Sequence, residues 1–277
     1  MTLFTIDPEK CNRDGICEAV CPFALITLNR ENSIPTPVEF AEKRCMNCGH
    51  CMAACPTGAL SLNTMTPSAC TPIDSDMEID RAQIDRLLKG RRSIRVFKDK
   101  PVSRDTLVEL LQLASYAPTG HNSQMTQWLV ITDPSHIKRL SGMVIDWMRG
   151  LLEENPGFAE SMEADILVAQ WDKGNDYILR SAPCLIIAHA PRDFKDIHLV
   201  RNQFVIAMTY LELAANAMGL GGCWGGFFQA AIEFYPSINE AVGLPEGHLS
   251  YECMMLGYPK YAYHRIPKRN EPAIIWR

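Results

Sequence analysis

At 277 residues, with 47% hydrophobic and 21% charged side chains, the chain has the length of about two domains and an ordinary globular composition. Its net charge of −5 leaves no basic field to recruit nucleic acid or an anionic membrane. The most apolar run, Phe204 to Met218, is too short to span a bilayer, and the start MTLFTIDPEK lacks the apolar core of a signal peptide, so a cytoplasmic protein is expected.

Reading from the N-terminus, the first feature is CNRDGICEAVCP, Cys11 to Pro22, followed by CMNCGHCMAACP, Cys45 to Pro56. In the second run the cysteines are separated by two, two and three residues, and a proline follows the last. Laid over it, the first run keeps Cys11, Cys17 and Cys21-Pro22 in register and has Asp14 where a second cysteine belongs. Short loops with a cysteine every third residue bring three thiolates onto a compact cluster, and in the two-cluster pattern the fourth comes from the Cys-Pro of the other run. Cys45, Cys48, Cys51 and Cys21 then hold one iron–sulfur cluster. Cys11, Cys17 and Cys55 hold the other, with Asp14 at its fourth corner. Zinc is the alternative, since paired Cys-x-x-Cys is also zinc spacing, but a zinc site has no use for two offset runs that each end in Cys-Pro.

Residues 1–63 are thus expected to form a small domain held together by its metal, because their apolar content is thin for a self-sufficient core. The Pro-, Ser- and Thr-rich stretch after it reads as a linker, 64–78. The remaining cysteines, Cys70, Cys184, Cys223 and Cys253, are expected as small buried hydrophobes.

The second domain, 79–277, opens with a helix capped by Asp80, with Gln83 three residues on and Gly90 at the exit. Ser103 opens another helix through Leu107, Leu110, Leu111 and Ala114. WLVIT at 128–132, CLIIAHA at 184–190 and ECMML at 252–256 read as buried strands, and residues 202–218 as a helix apolar on nearly every side. His189, at the end of a strand, is expected to be satisfied within the fold. Strands mixed with helices imply an α+β domain.

Four segments of this domain suit an anionic, flat ligand. GRRSIRVF (90–97) places Arg forks and a hydroxyl after a helix, a good phosphate clamp. APTGHNSQ (117–124), GLGGCWGGF (219–227) and HRIPKR near the end complete the set. The glycine stretch is not a dinucleotide fingerprint, since it follows a helix and has Trp224 where the third glycine belongs. Its glycines are read as letting backbone amides approach a flat ring.

The paired cysteine runs resemble the bacterial two-cluster ferredoxin module, and the four segments, in this order, resemble nitroreductase-like FMN enzymes from Ile79 onward. The resemblance implies an α+β FMN domain with a mixed sheet flanked by helices, assembled as a homodimer with the flavin at the subunit interface. It further implies that Arg91, Arg92, Ser93 and Arg95 meet the phosphate, ribityl chain and pyrimidine end of FMN. By the same likeness Pro118, Thr119, Gly120 and Asn122 reach the flavin of the second subunit. The backbone around Trp224, Gly225 and Gly226 faces the flavin N5 edge, and Lys268 or Arg269 closes on the phosphate. The acidic residue often found near that edge is absent, with Gly226 in its place. The expected activity is an FMN oxidoreductase fed by its own clusters from a ferredoxin or other low-potential donor. It passes electrons to a small, flat, electron-poor acceptor: a nitroaromatic, a quinone or an activated alkene. The alternative is an electron-transfer or redox-sensing module acting on a protein partner.

Overall fold

The computed structural model describes residues 3–28, 34–73, 78–192 and 197–277, the last without the side chains of 197–200. The chain divides into two compact units, Met1–Glu78 with His121–Ser123, and Ile79–Gly120 with Gln124–Arg277. Residues 74–77 of the expected linker lie outside the described residues.

In the first unit β1 (Phe4–Ile6) pairs antiparallel with β4 (Leu60–Leu62), and β2 (Ile26–Leu28) with β3 (Pro35–Pro37). Three one-turn helices, α1 (Ile16–Ala19), α2 (Ala41–Arg44) and α3 (His50–Ala53), lie between them. The two halves repeat one another in backbone as well as in sequence. Gly15 and Gly49 start α1 and α3 at the same φ of 76°, a left-handed value that a side chain disfavours. Arg13 matches Asn47, and Ala24 matches Gly58, all with positive φ. Among the described residues, the packed core cluster of this unit has six buried members, Phe4, Met52 and Leu60 among them. That is a small core, as the thin apolar content foretold.

The second unit begins with α4 (Arg81–Gly90), whose capping box forms as expected: Gln83 N donates to Asp80 Oδ1 at 2.7 Å and Asp80 N donates to Gln83 Oε1 at 3.2 Å. Ser103 caps α5 (Arg104–Ala114). Four strands form one sheet in the order β5-β6-β8-β7: β5 (Gln127–Ile131), β6 (Cys184–Pro191), β7 (Gly221–Trp224) and β8 (His248–Gly257). A mixed sheet was expected, but each neighbouring pair is antiparallel. The reason is topological. β6 and β7 run parallel to each other across the helical crossover α9 (Ile197–Ala217), and β8 comes in between them.

Alternation along β6 assigns its side chains to two cores. Leu185 and Ile187 join the layer formed by α6 (Pro134–Glu154), α7 (Pro156–Ser161), α8 (Ala164–Asp172), α10 (Gly226–Phe234) and α11 (Pro236–Val242). Cys184, Ile186 and Ala188 face the layer of α5 and α9. A sheet covered on both faces explains why β6 reads as an unbroken apolar run. β7 was not foreseen, because Gly221 and Gly222 hide its strand character. Nor was α6, although Asp133 before Pro134 is a regular helix-start signal.

Cys184, Cys223 and Cys253 are buried as expected, and burial pushes the Cys184 thiol up to about 12. Cys70 is exposed, contrary to expectation, at the end of a short 3-10 turn, Pro67–Ala69, none of whose residues is buried. His189 is indeed satisfied: its Nδ1 lies 2.9 Å from Nδ1 of His248, and burial, then the His248 charge, lowers its affinity for a proton.

Candidate functional site

The first unit gathers its donors into two sets. Cys21, Cys45, Cys48 and Cys51 line one cavity, and Cys11, Asp14, Cys17 and Cys55 line another. Each set draws one cysteine from the other run, since the two runs fold back to back. None of the eleven cysteines is in a disulfide. Burial pushes Cys51 up to about 11, with Cys48, Cys21 and Cys45 adding to the shift, so a thiolate there needs a cation beside it. Backbone amides are already aimed at the sulfurs: Leu25 N lies 3.3 Å from Cys21 Sγ, Ala59 N 3.3 Å from Cys55 Sγ, and Asn47 N 3.4 Å from Cys45 Sγ. Such N–H···S bonds stabilise negative charge on sulfur and tune a cluster's potential. Asp14 Oδ1 accepts from Ile16 N at 3.0 Å, which holds its carboxyl at the mouth of the second cavity. Among the described residues no three His, Cys, Asp or Glu donors meet around a single-ion point. Seven thiols and one carboxyl gathered in two sets of four are the donor chemistry that iron–sulfur clusters use.

His121–Ser123 belongs to this unit too. The Asn122 side-chain amide donates to the carbonyls of Met46 and Asn47, at 3.3 and 3.0 Å, within the loop between Cys45 and Cys48. The His121 ring stacks on Phe23 at 5.9 Å, next to Cys21-Pro22.

In the second unit Arg91 and Arg92 line a cavity of about 420 Å³ together with Arg86, which sequence reading missed. Three guanidinium groups share that cavity with one carboxylate, Glu212, a donor set suited to an anion such as a phosphate. Ser93 is half-buried and Arg95 exposed at the same loop. The Arg95 charge acts on the thiol of Cys223, which is pushed up chiefly by burial. Pro118 and Gly120 are exposed, and Thr119 Oγ1 accepts from Gln124 N at 3.1 Å. Lys268 and Arg269 lie in a stretch exposed from Tyr261 to Arg277 and do not line the cavity.

The glycines around Trp224 divide by role. A Cβ on Gly225 would stand 2.6 Å from Cys253 Sγ, and those on Gly221 and Gly222 would collide with Ile94 and Met254. These three are therefore required by packing inside the protein. Gly226, at the start of α10, has open space where its Cβ would point. A larger cavity, about 680 Å³ beside Trp147, Phe158 and Phe234, has no Lys or Arg in its lining and none of the expected residues. The cavity at Arg91 has the chemistry.

Glu212 was not among the residues expected at the site. Its side chain is 7% exposed and pairs with Arg91 Nη1 at 2.7 Å. The signal was available, since a lone carboxylate on a buried helix requires a cationic or hydrogen-bonding partner.

Comparison with known proteins bears on both units. A family model for a 4Fe-4S dicluster domain matches residues 9–59, and the model of the nitroreductase family matches residues 88–258. Among curated relatives, a putative NADH dehydrogenase/NAD(P)H nitroreductase of Archaeoglobus fulgidus is 25% identical over 175 residues, covering 63% of this chain and 84% of the relative. The 4-nitrobenzoate reductase of a Nocardioides species is 24% identical over 206 residues, covering 63% and 79%. A crystal structure of a nitroreductase with bound FMN from Bacteroides fragilis superposes with a TM-score of 0.55 at 19% identity, over 70% of this chain and 98% of that one. A second such structure, from Desulfitobacterium hafniense, gives 0.55 at 18% identity, over 69% and 96%. These superpositions establish the fold of the second unit.

Proposed function

The chain belongs to the nitroreductase family, and on that premise we propose that it is an FMN-dependent oxidoreductase fed through its own iron–sulfur domain. The observation that carries the proposal is the joining, in one chain, of two four-donor cavities with an arginine-lined cavity of the family's fold. When bound, the clusters pass single electrons and the flavin accepts them singly and delivers them in pairs. Fusion of the two units makes that delivery intramolecular, at high effective concentration.

The residues divide the work as follows. Cys21, Cys45, Cys48 and Cys51 hold one cluster, and Cys11, Cys17, Cys55 and Asp14 the other. Arg91 and Arg92 neutralise the flavin phosphate, with Arg86 beside them, while Ser93 and Arg95 serve the rest of the cofactor. Lys268 or Arg269 closes over the phosphate from the exposed C-terminal stretch. The open space at Gly226 admits a flat acceptor, in the class of nitroaromatics, quinones or activated alkenes. In the proposed homodimer Pro118, Thr119 and Gly120 serve the flavin of the second subunit. Asn122 belongs to the same proposed set, its side-chain amide also donating to the Met46 and Asn47 carbonyls. Apolar side chains left exposed on α5 and α9, such as Leu113 and Tyr210, support a covering second copy. A reducing cytoplasm suits seven cluster-binding cysteines and four others outside any disulfide, and a ferredoxin or similar low-potential protein is the proposed donor.

Anaerobic purification followed by iron, sulfide and flavin assays tests this reading. The expected yield is about eight iron and eight sulfide per chain with FMN, and steady-state reduction of a quinone by reduced ferredoxin. Stoichiometric zinc, or protein that exchanges electrons only with another protein, would refute it.

Asp14 supplies a separate prediction. A carboxylate is a harder ligand than a thiolate and holds its iron more weakly. Brief oxidation is therefore expected to convert one cluster of the native protein from 4Fe-4S to 3Fe-4S, measured by electron paramagnetic resonance. Asp14→Cys is expected to abolish that lability. Equal lability in the variant would remove Asp14 from the ligand set.

A further inference from the structure

Glu212 is a buried carboxylate to which neither the family match nor the cysteine runs assign a task. It lies on α9, with its neighbours Leu211 and Ala215 fully buried and its own side chain 7% exposed. A charge in such surroundings persists only with partners. It has two. Oε1 accepts from Arg91 Nη1 at 2.7 Å, and Oε2 accepts from the Trp224 indole Nε1 at 3.3 Å. Arg91 stands where the chain leaves α4, and Trp224 ends β7, just before Gly225 and Gly226. One carboxylate therefore ties together the two segments that serve opposite ends of the proposed cofactor.

We propose that Glu212 is a positioning residue of the flavin site, orienting the Arg91 guanidinium toward the phosphate while fixing the end of β7 through the Trp224 indole. The inference rests on the reading of Arg91 as a phosphate contact. A guanidinium carries five N–H donors in a rigid plane. Holding one of them at Nη1 sets the plane and leaves the others for an anion in the cavity that Arg91 and Glu212 both line. The opposing effect is plain. Neutralising Glu212 frees the Arg91 charge, and that alone tightens the grip on a phosphate. Arg91 is 27% exposed, so water screens its charge, and the lost orientation is the larger effect. Glutamine is no substitute for the carboxylate. It has one acceptor oxygen for two donors, and its amide N–H groups oppose whichever donor is left.

The test uses the full chain with its clusters intact, stripped of flavin, and measures FMN affinity by fluorescence quenching. Arg91→Ala is expected to weaken FMN binding. Glu212→Gln is expected to weaken it by about tenfold, which corresponds to 1.4 kcal/mol. Adding Glu212→Gln to Arg91→Ala is expected to cost less than about threefold more, since the two act as one unit. Unchanged or tighter FMN binding in Glu212→Gln, with Arg91→Ala impaired, overturns the positioning role. Equal losses in both backgrounds also overturn it, because Glu212 would then act without Arg91. Unimpaired Arg91→Ala removes Arg91 from the phosphate and sinks both readings. If Glu212→Gln does not fold, Glu212→Asp takes its place in the same cycle. It keeps the charge but shortens the arm, so it is expected to lose at least about threefold in affinity and the same coupling to Arg91.

Discussion

A Cys45→Ser/Cys48→Ser variant is expected to retain FMN yet lose at least about tenfold of its turnover with reduced ferredoxin as donor, a barrier change near 1.4 kcal/mol. The two cysteines line the same cavity as Cys21 and Cys51, so their loss removes half of one donor set. The proposed flavin contacts lie beyond Ile79, in a unit with its own two cores, so the flavin site is expected to survive. With a small chemical or photochemical donor that reduces the flavin directly, quinone reduction should therefore persist at the native rate. Stopped-flow and steady-state assays with the two donors separate the cases. Full ferredoxin-driven turnover in a variant shown to lack that cluster would falsify the coupling of the two units. A loss well under tenfold means that electrons enter at the flavin, leaving the iron–sulfur domain a sensing or structural role.

The second large effect concerns stability. Phe204 is fully buried on α9, and its ring stacks on Tyr251 of β8 at 4.2 Å with 7° between the planes. Phe204→Ala is expected to cost about 3 to 5 kcal/mol, the lost transfer energy of the ring plus the cavity left between helix and sheet. For a domain of this size that lowers the melting temperature by roughly 6 to 20 °C. Thr209→Ala, at an exposed position of the same helix, is expected to change stability by no more than about 0.5 kcal/mol. Calorimetry on the two variants side by side checks the claim. Similar small shifts in both would mean that the α5 and α9 layer is not a packed core.

Asp80 with Gln83 announced the capping box, and the box formed, because both partners lie within one turn of each other. The unbroken run from Cys184 to Ala190 announced a buried strand, since a strand covered on both faces has no polar side. Trp224 was singled out on resemblance, whereas the Gly221–Trp224 strand around it was not, since two glycines erase the β signal that cross-strand partners on β8 restore. Lys268 and Arg269 were grouped with Arg91 by family likeness, yet in the single chain they lie apart from its cavity.

The cysteine spacing by itself determined the chemistry of the first unit. Ligands two or three residues apart are placed by the local backbone, and the left-handed turns at Gly15 and Gly49 are short-range events that a few residues specify. What only the tertiary structure decided is everything that joins distant segments. The insertion of β8 between β6 and β7 depends on which faces of the whole sheet remain to be covered. The pairing of Arg91 with Glu212, 121 residues apart in the chain, depends on a helix burying a carboxylate beside the exit of another helix. No local pattern encodes such a meeting. It arises because a buried charge takes the partner that the packed fold brings within reach.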